Sequence, residues 1–181
     1  MRIRTACSRD AEQIGTLHAA SWRYAYQGVL SVEFLADKIV ADRLALWSRR
    51  LHNEVPGQYV VVAEHEDEII GFACAYAGSD KCWGTLLDNL HVSHAYQRQG
   101  LGRRLMSLIA SWCNDVSPSR GLFLWVVETN VQAQKFYERL GGKKVGDDVW
   151  FPPGGGEVPR YCYAWSSVRP LLLPQSDQER G

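Results

Sequence analysis

The chain has 181 residues, 46% of them hydrophobic, with 20 Lys plus Arg set against 20 Asp plus Glu. That length supports one full core near the size at which chains begin to divide, so one domain over 1–170 with a flexible tail over 171–181 is expected. Zero net charge excludes an overall field that would draw the chain to nucleic acid or to an anionic membrane surface, and leaves only a local basic site open.

The five cysteines, Cys7, Cys74, Cys82, Cys113 and Cys162, include no CxxC pair, and their odd number leaves one unmatched in any all-disulfide scheme. A reducing cytoplasm fits that usage. MRIRTACSRD has no signal-peptide core, and no apolar run approaches the ~20 residues a membrane span needs, so no membrane partner is expected.

IRTA reads as a short strand, followed by a helix with Ser8 as its N-cap and Ile14, Leu17, His18 and Ser21 along one face. After a break at Gly28, Ser31 can cap a second helix carrying Phe34, Leu35, Ile39, Leu46 and Trp47. QYVVVAEH and IIGFACAYAG, separated by EDE, read as an antiparallel hairpin, and TLLDNLHV as the next strand. Leu101, Leu105, Leu108, Ile109 and Trp112 mark a helix ending before Pro118, and GLFLWVV has the continuous apolar character of a strand buried on both faces.

NVQAQKFYERLG predicts a helix capped by Asn130, with Ala133, Phe136, Tyr137 and Leu140 on its apolar face and Gly141 as its stop. Strands near 143–150 and 160–168, joined by FPPGGGEVP, complete the order β-α-α-β-β-β-α-β-α-β-β. This is an α+β plan with a mixed sheet.

AYQRQGLGRRL, residues 95–105, places Gly100 and Gly102 at the opening of a helix. Absent side chains, free N–H groups and the positive helix end together suit phosphate. A nucleotide P-loop requires a GK[ST] ending, but Arg103 and Arg104 follow Gly102; a dinucleotide fingerprint requires a third glycine where Leu105 stands.

Gln97, Arg98, Gln99, Gly100, Leu101 and Gly102 match [QR]-x-x-G-x-[GA], the preceding strand is NLHV, and Asn130 to Gly141 reads N-x-x-A-x-x-F-Y-x-x-L-G. In these two motifs, their order and their spacing, the chain from about residue 2 to 168 resembles the GNAT superfamily of acyl-CoA-dependent N-acetyltransferases. The resemblance implies a mostly antiparallel sheet of about seven strands flanked by helices. It implies acetyl-CoA as cosubstrate and an amine, small or on a protein, as acceptor. It also implies that backbone amides of Arg98, Gln99, Gly100, Leu101, Gly102 and Arg103 hold the CoA pyrophosphate. The arginines there add local charge suited to phosphate.

The resemblance further assigns the pantetheine arm and thioester to backbone groups of Leu90 and Val92 on a strand splayed from its neighbour, with the Val92 N–H as oxyanion donor and Asn130 as an added contact. It gives Tyr137 the role of acid to the leaving thiolate, a task that a phenol of pKa ~10 can serve toward a thiol of pKa ~8.5. An aromatic usually follows LG in this family, whereas Gly142 and Lys143 stand here.

A substrate ammonium must also lose a proton. Asp88, expected by alternation to share a face with Leu86 and Leu90, and His91, expected opposite, are both candidate bases, with Asp88 ahead and a bulge able to change the assignment. His91 and His94 lack further ligands nearby in sequence, so no metal is expected. By the topology that the resemblance implies, Trp22, Tyr24, Tyr26, Glu33 and the FPPGGGEVP loop would flank the acceptor groove. No cysteine lies in the motifs, which favours direct attack in a ternary complex over a covalent acetyl-enzyme. A non-catalytic acyl-CoA sensor is the alternative from another class, and a homodimer paired through the last strands is the assembly this fold often takes.

Overall fold

The first strand, β1 (Arg2–Thr5), leads into a 3-10 turn at Ser8–Asp10 and then α1 (Ala11–Ala25). The expected Ser8 cap is replaced by Cys7 and Asp10: the Cys7 N–H donates to Asp10 Oδ2 at 2.8 Å, and Arg4 grips the same carboxylate at 2.7 and 2.9 Å. An acidic side chain three residues beyond the cap satisfies an orphan N–H as well as a serine would. These features come from a computed structural model that describes residues 1–53 and 55–173.

Ser31 does cap the second helical segment, its Oγ accepting from the Phe34 N–H at 3.2 Å. A π-helical turn at Phe34–Lys38 follows, then α2 (Ile39–His52). On α1, Ile14, His18 and Trp22 recur every fourth residue and are buried; on α2 the matching stripe is Ile39, Arg43 and Trp47. A basic residue in that stripe is the local exception to the apolar pattern.

The hairpin forms as β2 (Gln58–His65) and β3 (Glu68–Asp80). Glu66 and Asp67 both take positive φ, 51° and 65°, the two-residue turn whose twist matches the strands it joins. Then come β4 (Gly84–Val92), α3 (Leu101–Val116), β5 (Leu122–Val127), α4 (Val131–Arg139), β6 (Lys143–Trp150) and β7 (Val158–Trp165). The last strand therefore lies slightly earlier than the expected 160–168.

The seven strands make one sheet in the order β1-β2-β3-β4-β5-β7-β6, antiparallel except at β4–β5. Leu105, Met106 and Ile109 of α3 pack on Val61, Ala73 and Leu87 of one sheet face, while Ile14 of α1 and Trp47 of α2 pack on Val60, Phe72 and Cys74 of the other. β5 is buried on both faces, as its composition predicts. Of the tail expected over 171–181, residues 174–181 lie outside the described residues, whereas Leu171 is buried against the α3 side of the core and the Leu173 N–H donates to Ser107 Oγ at 2.9 Å.

Two irregularities in β4 position the site. Its pairing with β5 is confined to Thr85–Leu122 and Leu86–Phe123, so beyond Leu86 the two strands part. Against β3, Ala75 faces Leu87 and Cys74 faces Asn89, which leaves Asp88 as an extra, bulged residue. The bulge corrects the expected alternation: Leu87, Leu90 and Val92 turn to the α3 face, while Asp88 shares the opposite side with Asn89 and His91.

Candidate active site

Where β4 leaves β5 its edge is open. The Ser93 N–H bonds Ile70 O on β3 at 2.8 Å, so by alternation the backbone groups of Leu90 and Val92 face the gap. Gln97 closes the end of that edge by donating from Nε2 to Val92 O at 3.1 Å. Buried, unmade backbone bonds are costly, so an exposed strand edge inside a cleft is a built receptor for an extended polar chain.

The gap continues into the opening of α3. Gly100 takes φ +83° and Arg98 φ +60°, and a Cβ on Gly100 would meet open space. The glycine is thus required by the backbone's left-handed turn rather than by crowding. At Gly102 a Cβ would touch Phe136 Cζ of α4 at 3.5 Å, an ordinary contact that agrees with a motif accepting Gly or Ala. The Arg104 N–H reaches Gly100 O at 3.1 Å, which leaves the amides of Leu101, Gly102 and Arg103 without a carbonyl one turn back along the helix. Arg98 and Arg103 line the same opening. This set of amides and guanidinium groups suits a phosphate ester.

A cavity of about 1470 Å³ joins these parts. It brings together Asp88, Leu90, His91, Val92, Gln97, Arg98, Gly100, Gly102, Arg103, Asn130 and Tyr137. Leu101 instead turns its side chain into the core, and Gln99 Nε2 donates to Ala95 O at 3.0 Å. Asn130 caps α4, its Oδ1 accepting from the Ala133 N–H at 3.1 Å.

Tyr137 is buried on α4, 6.2 Å ring to ring from Trp165. Burial, and then the neighbouring Tyr26, push its phenol above the ordinary range, so it keeps its proton at neutral pH. The missing aromatic after LG has a physical replacement: a Cβ on Gly142 would lie 2.6 Å from the Trp165 ring, whose Nε1–H donates to Leu140 O at 2.9 Å. Trp165 of β7 thus packs close against the glycine that follows LG.

The opposite wall comes from α1, α2 and the β6–β7 loop. Trp22, Tyr26 and Trp150 stand within 4.8 to 5.9 Å of one another and line the cavity with Tyr24 and Pro153. Glu33 instead points to solvent and pairs with Lys38 at 2.6 Å. Asp88 Oδ2 accepts from Arg50 Nη1 at 2.8 Å, and the same nitrogen donates to Asn89 Oδ1 at 2.9 Å.

His91 is half-buried beside His18, 4.6 Å between ring centroids, and burial followed by the field of Arg43 pushes its imidazole down to about 4. His18 itself is fully buried, its Nδ1 accepting from Trp47 Nε1 at 2.9 Å, and its charged form is strongly disfavoured by the same burial. His94 lines the same cavity, against Tyr24 at 5.5 Å between ring centroids. Sequence reasoning missed Arg43, Arg50, Asn89 and Trp150. A basic residue at the fourth position between Ile39 and Trp47 was the available signal for Arg43.

Comparison with known proteins agrees with this fold. Residues 16–142 match the model of the acetyltransferase (GNAT) family. A probable N-acetyltransferase of Mycobacterium tuberculosis is 28% identical over 173 residues, covering 90% of this chain and 92% of its own. An uncharacterised N-acetyltransferase of Bacillus subtilis is 25% identical, covering 93% and 95%.

Among solved structures, a GNAT-family protein from Desulfovibrio desulfuricans superposes with a TM-score of 0.69 at 18% identity, over 92% of this chain and 98% of its own. NAA60 of Arabidopsis thaliana in complex with acetyl-CoA gives 0.65 at 17% identity, over 91% and 97%. The fold, the opened strand and the family match lead to one assignment: this chain belongs to the acetyltransferase (GNAT) family.

Proposed function

We propose that the chain is an N-acetyltransferase that moves the acetyl group of acetyl-CoA to an amine by direct attack in a ternary complex. The observation that carries this reading is the parting of β4 from β5 after Leu86, which leaves the Leu90–Val92 edge free and continuous with the amides at the start of α3. In this reading the pyrophosphate sits on the amides from Arg98 to Arg103, and the pantetheine arm adds to the open edge of β4 beside Asn130.

The Val92 N–H then donates to the thioester oxygen as negative charge develops on it. The amine nitrogen forms its bond to the carbonyl carbon from the side of Trp22 and Tyr26, and the carbon–sulfur bond breaks. Tyr137 gives its proton to the departing thiolate, which its raised affinity for that proton permits only as the sulfur charge grows.

The proton lost by the amine passes to the face that holds Asp88 and His91. Asp88 is engaged by Arg50 and holds the arginine in place, whereas His91 lines the cavity as an unprotonated imidazole; being a weak base there, it takes the proton only as bonding to the carbonyl carbon makes the attacking nitrogen strongly acidic.

The test is mass spectrometry of a cell extract incubated with the enzyme and isotopically labelled acetyl-CoA. A labelled amine is the expected result. Calorimetric binding of CoA with no labelled amine and no thiol release would leave a sensing module instead.

A further inference from the structure

We propose that the acceptor is a primary amine carrying a carboxylate, and that Arg43 is the side chain that binds it. The inference rests on the acetyl-transfer reading, since it names the second substrate of the same cavity.

Among the described residues, Arg43 is the one Lys or Arg that is buried, at 7% exposure, yet it lines the cavity. Its guanidinium carbon lies 4.2 Å from the centroid of a Trp22 ring, and Nε donates to Asp42 Oδ2 at 2.7 Å with Nη2 on the same oxygen. Nη1 has no protein partner among the described residues. A guanidinium stacked on an indole and forked onto one carboxylate is fixed before any ligand arrives. Its remaining N–H groups therefore bind with little further loss of side-chain freedom.

Charge along the lining sets the sign of the ligand. Asp88 is the one carboxylate among the described lining residues, and Arg50 already occupies it. A polyamine would find no uncommitted carboxylate and would face Arg43 across an aromatic wall. An amine with its own carboxylate meets Arg43 with opposite charge, its body lies on Trp22, Tyr26 and Trp150, and its nitrogen is directed toward β4. After burial, the positive charge of Arg43 is the second cause that disfavours protonation of His91 on that strand.

The test is calorimetric titration of the CoA-loaded protein with the common amino acids, each as free acid and as amide, and with spermidine. At least one acid should bind tenfold or more tighter than its amide. Arg43→Gln should erase that difference while leaving CoA affinity unchanged.

A panel in which no acid outbinds its amide, tighter binding of spermidine, or a preference that survives Arg43→Gln overturns the proposal. Should Arg43→Gln fail to fold, Arg43→Lys keeps the charge without the fork and is expected to shrink the preference; the wild-type comparison of acid with amide stands without either variant. Thiol release read on the same mixtures separates the two claims. Carboxylate preference without release retains Arg43 as the side chain that binds the carboxylate but removes the transferase reading and with it the claim that the bound amine is an acceptor; release that is fastest with spermidine keeps the transferase reading and overturns this inference.

Discussion

Arg50 and Asp88 meet at 2.8 Å across the bulge in β4, and the same guanidinium nitrogen holds Asn89 at 2.9 Å. The carboxylate therefore anchors the strand's irregular turn, and His91, three residues on, is the neutral group left facing the cavity. Asp88→Asn is expected to lower kcat/KM by less than about tenfold, with a stability loss of about 1 kcal/mol or less because the pair is partly solvated. His91→Gln is expected to lower it by about 100-fold or more, the range of a lost general base. Initial rates of thiol release at saturating acetyl-CoA check both, and a larger loss for Asp88→Asn would reverse the two roles. Because burial holds His91 near 4, the kcat/KM profile should show no inflection at 6.5 from this side chain.

Tyr137 and Trp165 stand 6.2 Å apart, ring to ring, on the far side of the gap. Removing only the phenol oxygen keeps that packing and deletes the proposed proton donor. Tyr137→Phe should therefore lower kcat about 100-fold with the KM for acetyl-CoA and the melting temperature little changed. Steady-state kinetics beside a thermal melt decide it: a stability loss equal to the activity loss would make Tyr137 a core aromatic and nothing more.

The parts of this molecule that depend on short-range pattern were legible in the sequence. Ser31 and Asn130 cap helices, the turn expected over EDE falls on Glu66 and Asp67 with Glu68 already in β3, and Gly141 ends α4 in the left-handed region, each for reasons contained within a few residues. The Cys7–Asp10 cap was missed because an acidic residue at the third position competes with serine at the first.

The face of Asp88 was not legible, since it depends on how Cys74 and Ala75 of a neighbouring strand register with β4. Arg43 was hidden for a related reason: on a helix read alone it is a solvated charge, and only the approach of α1 with Trp22 buries it. Most of the half proposed to hold the cofactor is local backbone, whereas the half proposed to hold the acceptor is assembled from α1, α2 and the β6–β7 loop.

Gly100 and Gly102 should respond differently to the same added methyl. Gly100 holds φ +83°, so Gly100→Ala places an alanine in the left-handed region at a cost of about 1 to 2 kcal/mol. It should also misdirect the amides that follow. Gly102 is helical, and its added Cβ meets Phe136 at 3.5 Å without overlap. Titration calorimetry with CoA should therefore show at least a tenfold loss for Gly100→Ala and less than threefold for Gly102→Ala.

The buried imidazoles make stability depend on pH in a defined window. His18 and His91 both bind protons less readily folded than unfolded, burial being the first cause in each. In the unfolded chain they protonate near 6.5, so below that pH the unfolded state binds more protons and stability falls as pH falls. For His91 the loss runs from about 6.5 down to about 4. By pH 4.5 it amounts to roughly 2 to 3 kcal/mol. Asp10, held low despite its burial by Arg4 and the Cys7 N–H, contributes stability that is lost at still lower pH, below the ordinary Asp value of 3.8, and so stays outside this interval. Urea unfolding at pH 7.5 and 4.5 should show a clear drop for the native chain and a smaller one for His91→Gln. Equal drops in the two proteins would mean that His91 protonates in the folded state as readily as in water.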